Sequence, residues 1–346
     1  MRIWDLVTAP EIAAYWTEAQ TAADAMAGDE LFPSRKKAGL ELSWIKGAGG
    51  LSAVLKPSAF DADITYRDRI GISQTETLLP FFREGMKINE KERQELLKLQ
   101  DNPQLASLAN LIVGKVFDDI SGLVAGAKAA LERMRMQLIS TGLIAVENNG
   151  IKVDYNFGVV SAQKETLTGT DVWSDATNSM PVDDILGWQD SVESTKGFRP
   201  TRAICSLATF RDLQNNAGIK AALVNLKVMP TRSAVIDYLI SMTGVAILVY
   251  NKKYTDYDGT TGQYFPDSVF TLLPDTNVGH TWYGTTPEEA DLMMDAKSEA
   301  NVAIVDTGVA ITTYTTKQPV NVETKVSQIV LPSAENIDRI FIATIS

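Results

Sequence analysis

Between Leu105 and Leu138 the apolar residues Leu105, Leu108, Ile112, Val116, Ile120, Leu123, Ala127, Leu131, Met134 and Leu138 recur at steps of three or four. That is the period of an amphipathic α-helix, and at its rise per residue such a helix is roughly 50 Å long. A rod of this length cannot be tucked inside a small domain, so the rest of the chain has to be laid along it. Asn102-Pro103 supplies the start signal, a cap followed by a first-turn proline. Gly114, Gly122, Ala125 and Gly126 lie on the same rod. Each glycine lowers helix propensity by about 1 kcal/mol, which is consistent with a bend or a close approach. Glu90 to Leu99 reads as a short helix ahead of it.

The segment before the rod is of another kind. Residues 1–36 do not read as the start of a compact core: one short helix after Pro10 is broken up by Asp24, Gly28, Asp29 and Pro33. Trp4 and Trp16 on this acidic segment need cover, from the chain's own core or from a neighbouring subunit. Leu40, Leu42 and Trp44 alternate, as do Leu51, Ala53 and Leu55, on either side of Gly47-Ala48-Gly49-Gly50. Pro57 stops the run, and Ile64, Tyr66 and Ile70 suggest a further extended return. The reading is a long hairpin with a glycine tip. A two-stranded ribbon is marginal in water by itself, so it has to lie on something.

After Gly142 the period becomes two. Leu143–Val146 and Ile151–Tyr155 flank Asn149-Gly150, a hairpin signal. Ser161 to Met180 is polar and reads as a loop or hairpin. From Pro181 helix and strand alternate: a helix through Trp188 and Val192 closed by Gly197, strand Thr201–Ser206, helix Ala208–Asn215, helix Arg232–Met242 closed by Gly244, and strands Val245–Tyr250 and Val269–Leu273 around a polar turn at Asp258-Gly259. Val309 to Leu331 alternates as one long strand ended by Pro332, and Ile337–Ile345 supplies a last strand.

Composition removes several function classes. At 346 residues, 45% hydrophobic and 22% charged, the chain has material for a folded core. With 32 basic and 43 acidic residues its formal charge is −11. A protein that grips phosphates by counterion release carries a basic excess, so any nucleic acid it meets is contained rather than clamped. Cys205 and His280 are each the only residue of their kind, which excludes an intrachain disulfide framework, a Cys-rich zinc site and any site with two imidazoles. No basic-then-apolar leader and no run of 18 apolar residues occurs, so a chain made and assembled inside a cell, with no membrane partner, is expected.

Catalytic signals fail one by one. Gly47-x-Gly49 starts like a dinucleotide fingerprint, but Ser52 stands at the third glycine position and Pro57 cuts off the following helix. Gly114-Lys115 lacks the upstream glycine and the Ser/Thr of a phosphate loop. The adjacent acids Asp118-Asp119, Asp183-Asp184 and Glu288-Glu289 do not face each other on a helix and read as solvated surface. His280 and Cys205 could make a base and a nucleophile, yet Cys205 falls in the apolar strand Arg202-Ala203-Ile204-Cys205, where a buried thiol is expected. No catalytic, cofactor-binding or metal residue is assigned, and no cofactor is expected.

The order of elements resembles the major capsid proteins of tailed bacteriophages, with the HK97-like fold, and more narrowly the lambda-type major capsid protein family. Residues carrying the likeness are Glu132–Leu138 leading into Thr141-Gly142 and Ile151–Phe157, Ile185–Val192 followed by Pro200–Cys205, Tyr264–Asp267 before Val269–Leu273, and Lys317–Val320 before Val326–Leu331. The resemblance implies an α+β chain with an N-terminal arm at 1–36, an extended E-loop at 37–80 and a peripheral domain with the spine helix at 81–180. It further implies an axial domain at 181–284, a peripheral return strand at 285–331 and the axial domain's last strand at 332–346. It implies self-assembly into pentamers and hexamers of an icosahedral shell around double-stranded DNA bound without sequence specificity. Scaffolding, portal and decoration proteins are the implied partners, with assembly in the host cytoplasm and residence in the virion. Trp4, Trp16, Trp44, Ile45, Lys46, Gly49 and Gly50 are the expected intersubunit contacts. An encapsulin-like compartment is the alternative with the same fold.

Overall fold

The computed structural model describes residues 25–39, 41–46, 73–88, 106–148, 151–256, 258–294, 301–305, 307–315 and 322–346, with single helical positions at 11, 14, 90, 91 and 94. The chain runs α1 (Ala27–Leu31), β1 (Ser34–Lys36), β2 (Glu41–Lys46), β3 (Ser73–Leu78), β4 (Phe81–Ile88), α2 (Ala106–Thr141), β5 (Leu143–Asn148), β6 (Ile151–Asn156) and β7 (Lys164–Thr166). It continues through α3 (Pro181–Lys196), β8 (Arg202–Cys205), α4 (Leu207–Asn215), α5 (Ala217–Asn225), α6 (Arg232–Thr243), β9 (Ala246–Val249), β10 (Lys253–Thr255) and β11 (Thr261–Gln263). It ends with β12 (Val269–Leu273), β13 (His280–Tyr283), α7 (Pro287–Met294), β14 (Asn301–Val305), β15 (Val309–Thr315), β16 (Val322–Ser333) and β17 (Phe341–Thr344).

Two sheets grip the long helix. One has the strand order β7-β17-β12-β8-β9; the other joins β1, β13, β16, β15 and β14, with β4 also paired to β16. In the last turns of α2, Leu131, Glu132, Met134, Arg135, Met136, Leu138, Ile139 and Ser140 are all buried. These positions take in most of the helix circumference, leaving one open side at Ala130, Arg133, Gln137 and Thr141, so the helix must be covered from several sides. Gln328 Nε2 of β16 donates to Ala127 O (3.0 Å), and Thr271 Oγ1 of β12 donates to Ile139 O (3.0 Å). The end of the rod is therefore a wedge between the sheets. One core gathers Leu131, Met134, Leu138, Phe265 and Val330 around it. A second core, under α3 to α6, holds Trp173, Trp188, Phe210, Leu239, Phe270 and Phe341.

Four expectations change. Ser161–Met180, read as a loop or hairpin, is a loop that also carries a short strand and a core ring: β7 pairs in parallel with β17, and Trp173 is fully buried between Trp188 (5.7 Å) and Phe270 (5.0 Å). The segment is polar because it carries few apolar residues, but its one large ring fills a core. Residues 27–36, placed in the arm, belong to the body: Leu31 and Phe32 are buried, and β1 pairs in parallel with β13. The ribbon strand β2 pairs with β3, from Glu41↔Leu78 to Lys46↔Ser73, a partner not expected from the sequence; the glycines at 47–50 and Leu51–Leu55 lie outside the described residues. Finally, the alternating run from Val309 to Leu331 is two antiparallel strands, closing at Thr315↔Val322.

Pro332 does not end β16, because it sits inside the strand opposite Thr281. Ile329 O accepts from Gly284 N on the β13 side, whereas Val330 N points to Pro80 O on the other. Alternation turns the Pro332 nitrogen the same way as that of Val330, where β4 has already ended, so no ladder bond is lost.

Replacing Trp173 with alanine is expected to destabilise the unassembled chain by about 3–5 kcal/mol, measured by urea unfolding. A change within about 0.5 kcal/mol, the size seen at ordinary surface sites, would show that the ring fills no core.

Candidate assembly surfaces

A buried polar junction locks α1 onto the rod. Arg135 donates to Thr281 Oγ1 (3.1 Å), to Phe32 O (3.4 Å), to Asp29 (2.6 Å) and to Glu132 (3.5 Å). Glu132 accepts from Tyr250 OH (2.8 Å) and from Gly28 N (3.1 Å). A Cβ on Gly28 would lie 2.3 Å from Glu132 Oε2, so only glycine lets α1 approach this closely. Burial raises the Glu132 carboxyl above its usual value near 4.5, against the lowering effect of the Tyr250 hydroxyl and Arg135. Burial and the Glu132 charge push the Tyr250 phenol upward as well. Sequence reasoning missed this junction; its only signal is an acid and a base three apart among the apolar steps of the rod.

The β2–β3 ribbon is rooted at one point. Lys37 N donates to Tyr283 O (2.8 Å) on one side of the root, and Val330 N to Pro80 O (3.3 Å) on the other, where Leu79 is buried. Gly284 lies between them: a Cβ there would meet Ile329 Cγ2 at 2.7 Å, Gly39 O at 2.9 Å and Leu79 Cδ1 at 3.0 Å. Beyond the root, β2 and β3 bond to each other and to no further strand among the described residues. Trp44, Ile45 and Lys46 fall at the far end of β2, opposite Thr75, Gln74 and Ser73. Trp4, Trp16, Gly49 and Gly50 lie outside the described residues.

Two further surfaces carry uncovered apolar side chains. On β4, Phe81 and Met86 are exposed, and no strand pairs its second edge among the described residues. Such an edge is a template for another chain. At the end of α5, Val224, Leu226, Val228 and Met229 are exposed within six residues, a local concentration that marks an interaction site. Elsewhere, β7 and α3 enclose a groove of about 510 Å³.

The candidate base and nucleophile of the sequence lie apart. Cys205 is buried, with its thiol pushed up to about 12 by burial, and it lies in β8 on a different sheet from His280 in β13, whose Nδ1 is 3.4 Å from Glu335. No cluster of three metal-ligating side chains occurs among the described residues, and no helix among them is long and apolar enough to cross a membrane. The acid pairs differ from solvated surface in two cases. Glu288 pairs with Arg83 and accepts from Ser327 Oγ (2.9 Å), while buried Glu289 pairs with Lys36. Both pin α7 to neighbouring strands. Asp184 accepts from Trp173 Nε1 (2.9 Å), and its carboxyl is raised by burial and by Glu165, Asp171 and Asp183.

A sequence profile described as Phage major capsid protein E matches residues 8–345. The chain belongs to that family. A candidate capsid protein of a prophage in Escherichia coli CFT073 has the same fold, at TM-score 0.61 and 15% identity over 98% of this chain and 99% of the other. A phage-related protein from Bordetella bronchiseptica RB50 superposes at TM-score 0.54 with 13% identity, over 97% of each chain. The capsid protein of cyanophage A-1(L) does so at 0.51 with 10% identity, over 92% of this chain and 91% of that one. The fold is the HK97-like capsid fold expected from the order of elements. This major capsid protein is a structural subunit of the virion, not an enzyme, and its copies self-assemble into a shell. The family match favours the phage head over the encapsulin-like alternative.

Because the folded Glu132 pKa is raised, its contribution to stability is complete below the unfolded value near 4.5 and is lost as pH rises through the folded value. Urea unfolding across that window should show wild type losing stability relative to Glu132→Gln as pH increases; parallel pH profiles would mean another group titrates. Gly284→Ala should destabilise by about 1–3 kcal/mol, since the Gly39 carbonyl is backbone and cannot swing aside. An unchanged melting temperature would show that the ribbon root has slack.

Proposed function

We propose that this capsid protein closes into pentamers and hexamers of an icosahedral shell that encloses double-stranded DNA. It assembles in the host cytoplasm on a separate scaffolding protein, with a portal at one vertex and a decoration protein on the finished shell. The observation carrying this reading is the β2–β3 ribbon, a two-stranded sheet with a pinned root and no further strand partner among the described residues. Such a ribbon is marginal alone and gains by lying across a neighbour. Residues 37–80 then act as the E-loop, and Trp44, Ile45, Lys46, Gly49 and Gly50 are its contacts with the next copy. The arm, with Trp4 and Trp16, is shorter than 1–36 and ends before α1. The peripheral domain centres on the rod and the sheet around β16, and the axial domain on the sheet around β12 with its helices, from about residue 161 to 273 plus β17.

Each contact can be weak, because many made at once stabilise a shell by avidity. The net charge of −11 works against assembly, but salt screens it beyond about 8 Å. The same charge keeps DNA from adhering to the wall. Deleting residues 44–51 is expected to leave a soluble, folded chain that forms no shells, scored by sedimentation and electron microscopy. Normal shells from the deleted chain would remove the ribbon from the list of contacts.

A further inference from the structure

The rod α2 has one side left uncovered among the described residues. Along it run Gly122, Ala125 and Gly126, all exposed, then Ala129, Ala130 and Arg133, half-buried. A Cβ on Gly122 or Gly126 would meet no atom within 4 Å. Glycine disfavours a helix interior, and here no close approach among the described residues explains it. The same side borders a groove of about 640 Å³. Gly126, Ala129 and Ala130 line it from the rod, with Phe82 of β4, Val146 of β5 and Tyr254 of β10 facing them. None of the six is buried, so each keeps surface for a partner to touch. At the rim Arg133 donates to Asp256 (2.9 Å) and lies over the Tyr254 ring (5.0 Å). That pair of charges is already matched, and what the six residues offer is apolar contact.

The N-terminal arm enters the body beside this groove. Ala25 O accepts from Lys252 Nζ (2.8 Å), and Tyr250 OH lies 3.6 Å from Met26 Sδ. From Tyr250 the rings step to Tyr264 (6.3 Å) and then to Tyr254 (5.1 Å), which lines the groove. On the rod, α1 is held by Glu132 and Arg135, and Arg133, on the groove side, is about 100° round from Glu132. Entry point and groove are therefore neighbours on one stretch of the rod. Ahead of Ala25 stand 24 residues. Among them Ile12, Tyr15, Trp16 and Ala19 recur at i, i+3, i+4 and i+7 after Pro10, one apolar helical stripe. Glu11 and Ala14, helical and exposed, fall away from that stripe. From Ala19 to Ala25 the chain reaches up to about 20 Å when extended, more than the two ring steps require.

We propose that residues 10–19 of the arm seat as a helix in this groove of their own chain, with Ile12, Tyr15 and Trp16 against Gly126, Ala129 and Ala130. Large side chains on one helix and small ones on the other let the two axes come close, which gives the open glycines a purpose. The occupant is the chain's own arm rather than a sibling's because a short tether holds it at an effective concentration of about millimolar. Trp16 then finds its cover before any assembly, and Trp4, ahead of the helix, is left for a neighbour. The seat belongs to the lone chain, goes beyond the shell reading and does not depend on it.

The test is amide hydrogen exchange on the full, unassembled chain. A helix of about ten residues is marginal in water by itself, so slow exchange at 11–19 reports docking. Gly126→Leu fills the groove from a position with open space around its Cβ. It should leave the melting temperature of the body unchanged or higher, since leucine favours the helix, while exchange at 11–19 speeds up about tenfold or more. Trp16→Ala, on the arm itself, should give the same gain in rate with the body intact. Fast exchange at 11–19 in wild type, or protection that survives both variants, overturns the seat. Protection that vanishes on hundredfold dilution overturns it as well, by placing the arm on a second copy.

Discussion

The structure depends on the burial of the last turns of α2 on all sides but the one that carries Arg133, Gln137 and Thr141. A helix that is amphipathic over most of its length has one face to offer; here the faces multiply as the chain approaches Thr141, and both sheets close on it. The apolar steps at Leu131, Met134 and Leu138 serve the core, and Glu132 and Arg135 serve the junction with α1, β13 and Tyr250. An ion pair at such depth is weak evidence of added stability, since desolvation offsets much of its attraction. Its effect is geometric: removing either partner leaves the other buried without compensation, so α1 has one seat and one register. With α1 fixed, β1 follows onto β13, and the ribbon root is held beside Gly284.

Most of this was legible where local signals are strong. The rod follows from its period, the β5–β6 hairpin from Asn149-Gly150, and α3 from Pro181 at one end and Gly197 at the other, which is left-handed at φ 66°. What was not legible depends on distant partners. Alternation from Val309 to Leu331 is the same whether the chain runs straight or, as its pairing from Val309↔Gln328 to Thr315↔Val322 requires, folds back. The burial of Trp173 is decided by Trp188 and Phe270, far along the chain. The helix α5 and its exposed tip were missed because Ala217–Asn225 is apolar without a clear face, and the pairing of Lys36 and Arg83 with Glu289 and Glu288 could not be seen from spacing at all.

The same contrast organises function. The two cores are closed, with rings packed on rings and polar groups paired across the junction. Among the described residues the chain leaves open a ribbon with its own two strands, the second edge of β4, and the apolar tip beyond α5. Each is a surface that another copy of the chain can cover. A shell subunit needs this division, since a rigid body sets the geometry while exposed and individually weak contacts allow assembly to be corrected before it is complete.

Amide hydrogen exchange on the unassembled chain and on shells compares these two parts directly. The account predicts that residues 131–140 and 269–273 exchange slowly in both states, whereas the ribbon strands 41–46 and 73–78 become slow only in shells. Slow exchange of the ribbon in the lone chain, or fast exchange of 131–140 until shells form, would contradict it.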